Sequence, residues 1–524
     1  MMVIGRVRSF VASGDRLLFA AALVTVLPLW SAKYLPFTDL PEHLAVIATL
    51  RHWWDASWNA GATYTFAFAK SQYLAYHLVG ALLALPLGPE LANRVLLTAV
   101  GLALPYAMRA LLRAFRTEER LAVLACPLFW SRPLVLGFLP YVAALPVVFY
   151  ALAHVVRERD APTRRGAITI ALLTTLAFYL HLSAYTVLVF VAFALALIPV
   201  SARAWSLRPL LRTTLSFSPS FVCATIWAVC ADPRGGPMLL ASEHTQGPPR
   251  SNLGSLFAAW AHDIWTSRID EIEGVVFWII VLWLGLQRGA SEPAGTKGVV
   301  ARLVPFTCVL FLFVALPYRL GAGAMLNVRI APFLAYFALP VLRPDPGART
   351  RLAVRASAIL SFAVGLTAFV QIRLAQRELG DFDAVLARIR PGARVLTLHF
   401  APYSTVAQGP AWIHVAAYHR LRRGGVASLS FSEMAHWPIR FRGDARPPQK
   451  AMGFWDFEPC LFRNTVDGAY YDFVLSNGNT DPFANGPSGP SWRRAATVGQ
   501  WRLDEKVEGT WTSHQTPDPG PCTR

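Results

Sequence analysis

Residues 167–200 read AITIALLTTLAFYLHLSAYTVLVFVAFALALIPV, 34 residues without one Asp, Glu, Lys or Arg. As a single helix this run would be roughly 50 Å long at 1.5 Å per residue, against a bilayer core of about 30 Å. Two short spans turning near His181 fit that thickness; one long tilted helix is the other reading. Further apolar runs lie at 17–36, 73–87, 94–112, 120–131, 138–156, 214–231, 274–287, 299–317, 328–342 and 352–374. The pattern predicts a polytopic α-helical membrane protein of about 11–13 spans.

The whole chain agrees. Of its 524 residues 54% are hydrophobic and 15% charged, with a mean hydropathy of +0.40. Soluble domains run nearer 45–50% apolar and about 25% charged, so a soluble enzyme or a disordered chain is excluded. The net charge of +18 comes from 44 arginines and 5 lysines. Most arginines fall between apolar runs, where the positive-inside bias places them, and no zinc-finger, basic-zipper or Walker pattern occurs. Nucleic acid is therefore not an expected partner; the lipid bilayer is.

The basic loops RERDAPTRR (157–165), ARAWSLRPLLR (202–212), QRGASEPAGTKGVVAR (287–302) and RPDPGARTR (343–351) are expected in the cytoplasm, with the N-terminus and RALLRAFRTEER (109–120). Loops 32–72 and 232–273 are then external, as is everything after residue 375. Parity conflicts with this in one place. Segments 17–36, 73–87 and 94–112 cannot all cross if both the N-terminus and 109–120 are inside. The shortest, 73–87, is the candidate for a re-entrant segment. The first 30 residues read as an uncleaved first helix.

Past Gln376 the pattern changes. DFDAVLARIRPGARVLTLHF reads as a helix, a Pro-Gly turn and a buried strand, YDFVLSNG as a second strand, and WRRAATVGQWRLDEKV as a hairpin. The division is a membrane domain over 1–375 and a small α/β domain over 376–524, the latter extracytoplasmic. Trp412–Gly425, with His414 and Tyr418, reads as a packing helix closed by a glycine C-cap.

Chemistry concentrates just after the first span, in Phe37-Thr38-Asp39-Leu40-Pro41-Glu42-His43. Asp39 and Glu42 have capping-box spacing, and Pro41 suits a first helical turn. With Trp53 and Trp54, the following residues would form an interfacial amphipathic helix. The alternative is a functional site: Asp39, Glu42 and His43 as catalytic candidates, with Asp39 and His43 able to hold a hard divalent ion. Arg319 and Arg329 flank an expected outer loop and suit a phosphate; Arg94, which opens a later helix, is a further substrate-binding candidate. His181, ionisable within an apolar run, is a further binding candidate.

An N-terminal anchor, an external loop opening with an acidic motif, some dozen spans and a terminal soluble domain together resemble the GT-C superfamily. Its members include protein mannosyltransferases and the aminoarabinose transferases of lipid A. Gly88-Pro-Glu-Leu-Ala-Asn-Arg94 resembles that superfamily's Gly-then-Arg at the next helix start. The usual acidic pair is replaced here by Asp39-x-x-Glu42-His43. The resemblance implies a bacterial inner-membrane glycosyltransferase that moves a sugar from a polyprenyl-phosphate donor to an envelope acceptor. Asp39 would be its base or a metal ligand. No cofactor beyond a divalent metal is implied. A transporter or flippase, or a non-catalytic scaffold for envelope polysaccharide assembly, remains the alternative.

Six cysteines complete the inventory. Cys126, Cys223, Cys230 and Cys308 sit in apolar runs; Cys460 and Cys522 lie in the expected external domain. A disulfide between those last two is expected, because that compartment is oxidising and a Pro- and Gly-rich tail frays unless tied down.

Overall fold

The chain breaks at His181. One helix runs Arg164–Leu180, the next Leu182–Leu197, and His181 between them is extended at φ −163°. Its Nδ1 accepts a hydrogen bond from the Ser183 amide, so the interruption caps the helix that follows it. The run is two short helices, the first of the two readings that its length left open.

The computed structural model describes residues 13–198, 207–230, 263–287, 296–316, 318, 325–344, 347–434, 436–443, 445–448, 456–478, 480–483 and 491–507. By contacts they divide into two units. The first takes residues up to Lys33, Arg94–Val229 and the described part of Gly247–Arg373. The second contains Tyr34–Asn93 and the described residues from Leu374 onward. Residues 34–93, which the sequence assigns to an external loop and a short apolar segment, therefore group with the C-terminal segment.

The first unit is helical. Leu139–Asp160 packs on Arg164–Leu180 and Leu182–Leu197, and Thr296–Ala315 packs on Leu182–Leu197 and Leu326–Ala338. Phe149 sits among Phe333, Tyr336 and Phe337 at centroid distances of 4.9–5.9 Å. The opposite helix faces are also apolar: Leu172 is 68% exposed, Leu282 62% and Phe362 57%. Apolar residues on both the packed and the open faces are what a lipid solvent requires. Among the described residues five helices are long and apolar enough to cross a bilayer: Pro89–Ala114, Leu139–Asp160, Arg208–Cys230, Gly298–Ala315 and Ala348–Leu379. Leu74–Leu87, Leu182–Leu197 and Leu326–Val341 are apolar but shorter.

One expected span is absent. Residues 120–131 fold as 3₁₀ turns, Glu119–Ala125 and Pro127–Phe129, followed by the short helix Arg132–Val135. Seven residues at about 2.0 Å each cannot cross a bilayer, and Pro127 and Pro133 prevent a continuous helix. The segment is apolar because Leu121–Trp130 are all buried in protein.

The second unit contains a five-stranded sheet in the order β3-β2-β5-β7-β6. Its strands are β2 (Arg394–His399), β3 (Val426–Ala427), β5 (Phe473–Asn477), β6 (Trp492–Val498) and β7 (Trp501–Lys506). Strand β2 runs parallel to β3 and β5; β7 is antiparallel to β5 and β6. The hairpin β6–β7 turns through Gly499-Gln500, with Gly499 at φ +57° supplying the left-handed residue. A separate ribbon pairs β1 (Tyr64–Phe66) with β4 (Ile439–Phe441).

The helix Leu40–Arg51 is not an interfacial amphipathic helix. Leu40 through Thr49 are all buried. The helices Leu74–Leu87 and Ala417–Arg423 both pack against it. The first approaches closely because Gly80 has no side chain: a Cβ there would lie 2.5 Å from Ile47 Cδ1. Leu74–Leu87 itself has 14 residues, about 21 Å of helix and too short to span alone.

Candidate functional site

Asp39 is the N-cap residue of Leu40–Arg51, but its side chain makes no cap hydrogen bond. The capping box suggested by the spacing does not form. Asp39 stands at φ −90°, ψ −5°, in the helical region, whereas a capping side chain reaches its amides from extended backbone. Its carboxylate instead lies with Oδ1 3.7 Å from Nε2 of His414; the Asp39 side chain is 17% exposed and that of His414 6%. The His414 ring meets Phe431 edge-on at 4.9 Å. A carboxylate thus stands partly open to solvent at the mouth of a buried helix, with an imidazole beside it.

Glu42, the other half of the expected box, is fully buried and turned elsewhere. Its Oε2 accepts hydrogen bonds from the Phe431 amide (2.9 Å) and the Ser430 hydroxyl (3.1 Å), and lies 3.6 Å from Nη1 of Arg420. Arg420 is also fully buried; it donates to Ser430 Oγ (2.8 Å) and Thr49 Oγ1 (3.3 Å) and covers the Tyr64 ring at 4.4 Å. Burial raises the Glu42 carboxyl above its ordinary value, and Arg420 and the two hydrogen bonds oppose that rise. Solvent does not reach this pair.

His43 meets His77. Their Nδ1 and Nε2 atoms are 3.0 Å apart, with the rings nearly parallel at 23°. Nδ1 of His77 is 2.6 Å from the Tyr73 carbonyl. A carbonyl only accepts, so Nδ1 of His77 carries the proton and its Nε2 accepts from His43. Trp437 lies 5.2 Å from the His43 ring and 5.1 Å from the His77 ring. His43 is thus directed at His77 within an aromatic cluster. Among the described residues no three His, Cys, Asp or Glu side chains converge as a metal ion would require. Asp39 with His414, and His43 with His77, are pairs.

Of the binding candidates of the first unit, Arg329 and His181 both meet Tyr141. Arg329 lies in the helix Leu326–Ala338 with its guanidinium 4.4 Å above the Phe138 ring, and its carbonyl accepts from the Tyr141 hydroxyl. Arg94 donates to the carbonyls of Ala32 (2.5 Å) and Lys33 (2.6 Å). His181 meets Tyr141 edge-on at 5.3 Å and is 3% exposed. Arg319 lies outside the described residues. Cys460 is disulfide-bonded, Cys522 lies outside the described residues, and Cys126, Cys223, Cys230 and Cys308 are free.

Sequence reasoning missed the partners rather than the motif. The sequence places His414 in a packing helix, and Ser430 and Trp437 give no signal of their own. A faint one existed: arginines in the apolar stretch WIHVAAYHRLRR (412–423) call for a buried acid somewhere in the chain. The second unit also holds a cavity of about 360 Å³ lined by Lys70, Arg440, Arg446 and Glu433 with Phe66, Phe68 and Phe441, three basic groups and one acid between aromatic walls.

Comparison with known structures places this architecture. Two crystal structures of ArnT from Cupriavidus metallidurans, one bound to undecaprenyl phosphate and one in the apo state, share its fold. Each is 12% identical to this chain, with TM-scores of 0.53 and 0.54; the matches cover 95% and 96% of this chain and 98% of theirs. No protein-family model and no curated protein sequence matches. The chain is a polytopic α-helical membrane protein with a C-terminal sheet, and it shares the fold of these two structures.

Proposed function

We propose that this protein is an integral-membrane glycosyltransferase of the inner membrane. On this reading it moves a sugar from a polyprenyl-phosphate donor to an acceptor outside the cytoplasm. The observation that carries the reading is Asp39: a partly open carboxylate, spared from helix capping, at the head of a buried helix in a fold shared with a protein crystallised with undecaprenyl phosphate.

In the reaction, the acceptor hydroxyl gives its proton to the Asp39 carboxylate as its oxygen bonds to the anomeric carbon of the donor. The bond from that carbon to the phosphate oxygen breaks, and the polyprenyl phosphate leaves with the electron pair. The leaving phosphate needs cationic donors. Arg329 and Arg319 are assigned to it, with Arg94 holding the chain after the first helix. Glu42 and Arg420 position the Asp39 helix rather than exchange protons with substrate, because neither is exposed. The test is transfer of labelled sugar from a polyprenyl-phosphate donor by reconstituted protein. Loss of labelled envelope acceptor without the protein supports the reading; unchanged labelling overturns it.

A reporter fused after Gly380 is active outside the cytoplasm, with the basic loops inside; activity only in the cytoplasm reverses the orientation. A non-reducing digest of purified protein yields one linked species containing Cys460 and Cys522. Recovery of the Cys522 peptide as a free, alkylated thiol rejects that pairing.

A further inference from the structure

In the first unit, Arg159, Arg164 and Arg212 line one cavity of about 520 Å³. They come from the end of Leu139–Asp160, the start of Arg164–Leu180 and the start of Arg208–Cys230. Its remaining walls include Val155, Ile168 and Leu215, of which Ile168 is 52% and Leu215 63% exposed. We propose that this cavity binds the phosphate headgroup of an anionic phospholipid in the cytoplasmic leaflet.

The lining carries three arginines against one carboxylate. The one carboxylate in the lining, Glu158, is already engaged. It accepts from the amide and the hydroxyl of Thr163, and it lies so close over Gly166 that a Cβ there would be 1.7 Å from Oε1. Glu158 therefore closes the start of the helix Arg164–Leu180. Among the described residues none of the three arginines makes an ion pair with it; Asp160 attracts Arg159 from beyond ion-pair distance and is itself 3.8 Å from Arg116. Arg159 makes one long contact, 3.4 Å from Nη1 to the Leu195 carbonyl, and its buried Nε has no partner.

Shape and position also suit a lipid headgroup. The cavity volume falls within the roughly 300–1,000 Å³ of small-molecule sites. Guanidinium groups lie beside exposed Ile168 and Leu215, so one wall suits a phosphate and the other the start of acyl chains. The loops that carry the arginines are those the positive-inside bias places in the cytoplasm, and basic pockets between spans on that side take anionic headgroups. A soluble phosphate shares the charge but would leave the apolar wall wet. The site is independent of the glycosyltransferase reading.

The experiment uses the full-length protein in nanodiscs of phosphatidylcholine, with and without added phosphatidylglycerol, read by thermal unfolding and by native mass spectrometry of retained lipid. Phosphatidylglycerol is expected to raise the melting temperature and to stay bound on release. Inorganic phosphate added to phosphatidylcholine discs has no such effect. Each arginine replaced by glutamine weakens retention about fivefold, so the triple variant R159Q/R164Q/R212Q loses about a hundredfold. R212Q alone, at an exposed position, covers the case in which the triple variant fails to fold. Equal behaviour of the two lipids overturns the proposal, as does undiminished retention by R212Q. Stabilisation by inorganic phosphate alone overturns it in favour of a soluble-anion site.

Discussion

On the proposed transferase reading, Asp39→Asn leaves a folded protein whose sugar transfer is slowed about 10²–10⁴-fold, the usual contribution of a positioned general base. That is about 3–5 kcal/mol of barrier. The fold tolerates the change because the Asp39 side chain makes no cap hydrogen bond, and Asn is in any case as good a cap residue as Asp. The loss therefore falls on turnover and not on yield. Labelled-sugar transfer by wild type and variant, at matched amounts of monodisperse protein, measures it. Native turnover in the Asn variant removes Asp39 from the mechanism. Trp54→Ala, at a position 90% exposed, is the control that changes neither rate nor yield.

Arg420→Met acts on stability. It leaves Glu42 fully buried beside Ser430 and Phe431 with no counter-charge. Removing one partner of a buried ion pair costs about 3–5 kcal/mol, chiefly for the stranded charge. The double variant E42Q/R420M recovers most of that, since replacing both partners is often close to neutral. The pH dependence has a definite sign. Burial already holds the Glu42 carboxyl above its ordinary value in the native protein, and loss of Arg420 raises it further. A folded-state pKa above the unfolded one means the folded variant binds more protons. Its stability is then greatest below the ordinary glutamate range and falls as pH rises from there toward the raised value. Thermal unfolding of wild type, R420M and the double variant across that range is the measurement. A single variant as stable as wild type at neutral pH would mean that the pair does not hold the Asp39 helix.

The sequence by itself determined the class of protein and several local features. The break at His181 follows from a run too long for one bilayer crossing, a length argument that needs no neighbours. The β6–β7 hairpin follows from alternation around Val-Gly-Gln-Trp, and β2 and β5 follow from short apolar runs beside turn residues. The stretch from Phe37 to His43 could be chosen because carboxylates and an imidazole are rare next to a span. Only the tertiary structure decided what each of those groups does. Asp39 and Glu42 have the spacing of a capping box, yet Glu42 pairs with groups up to 389 residues away, and local spacing cannot report such a partner. Residues 120–131 and 40–50 illustrate the same limit from the apolar side. An apolar stretch is driven out of water equally by lipid and by a protein interior, so hydropathy alone could not tell a span from buried 3₁₀ turns, or a membrane-surface helix from one enclosed by two others. That choice rests on which helices cover the segment, and it was made by contacts between residues far apart in the chain.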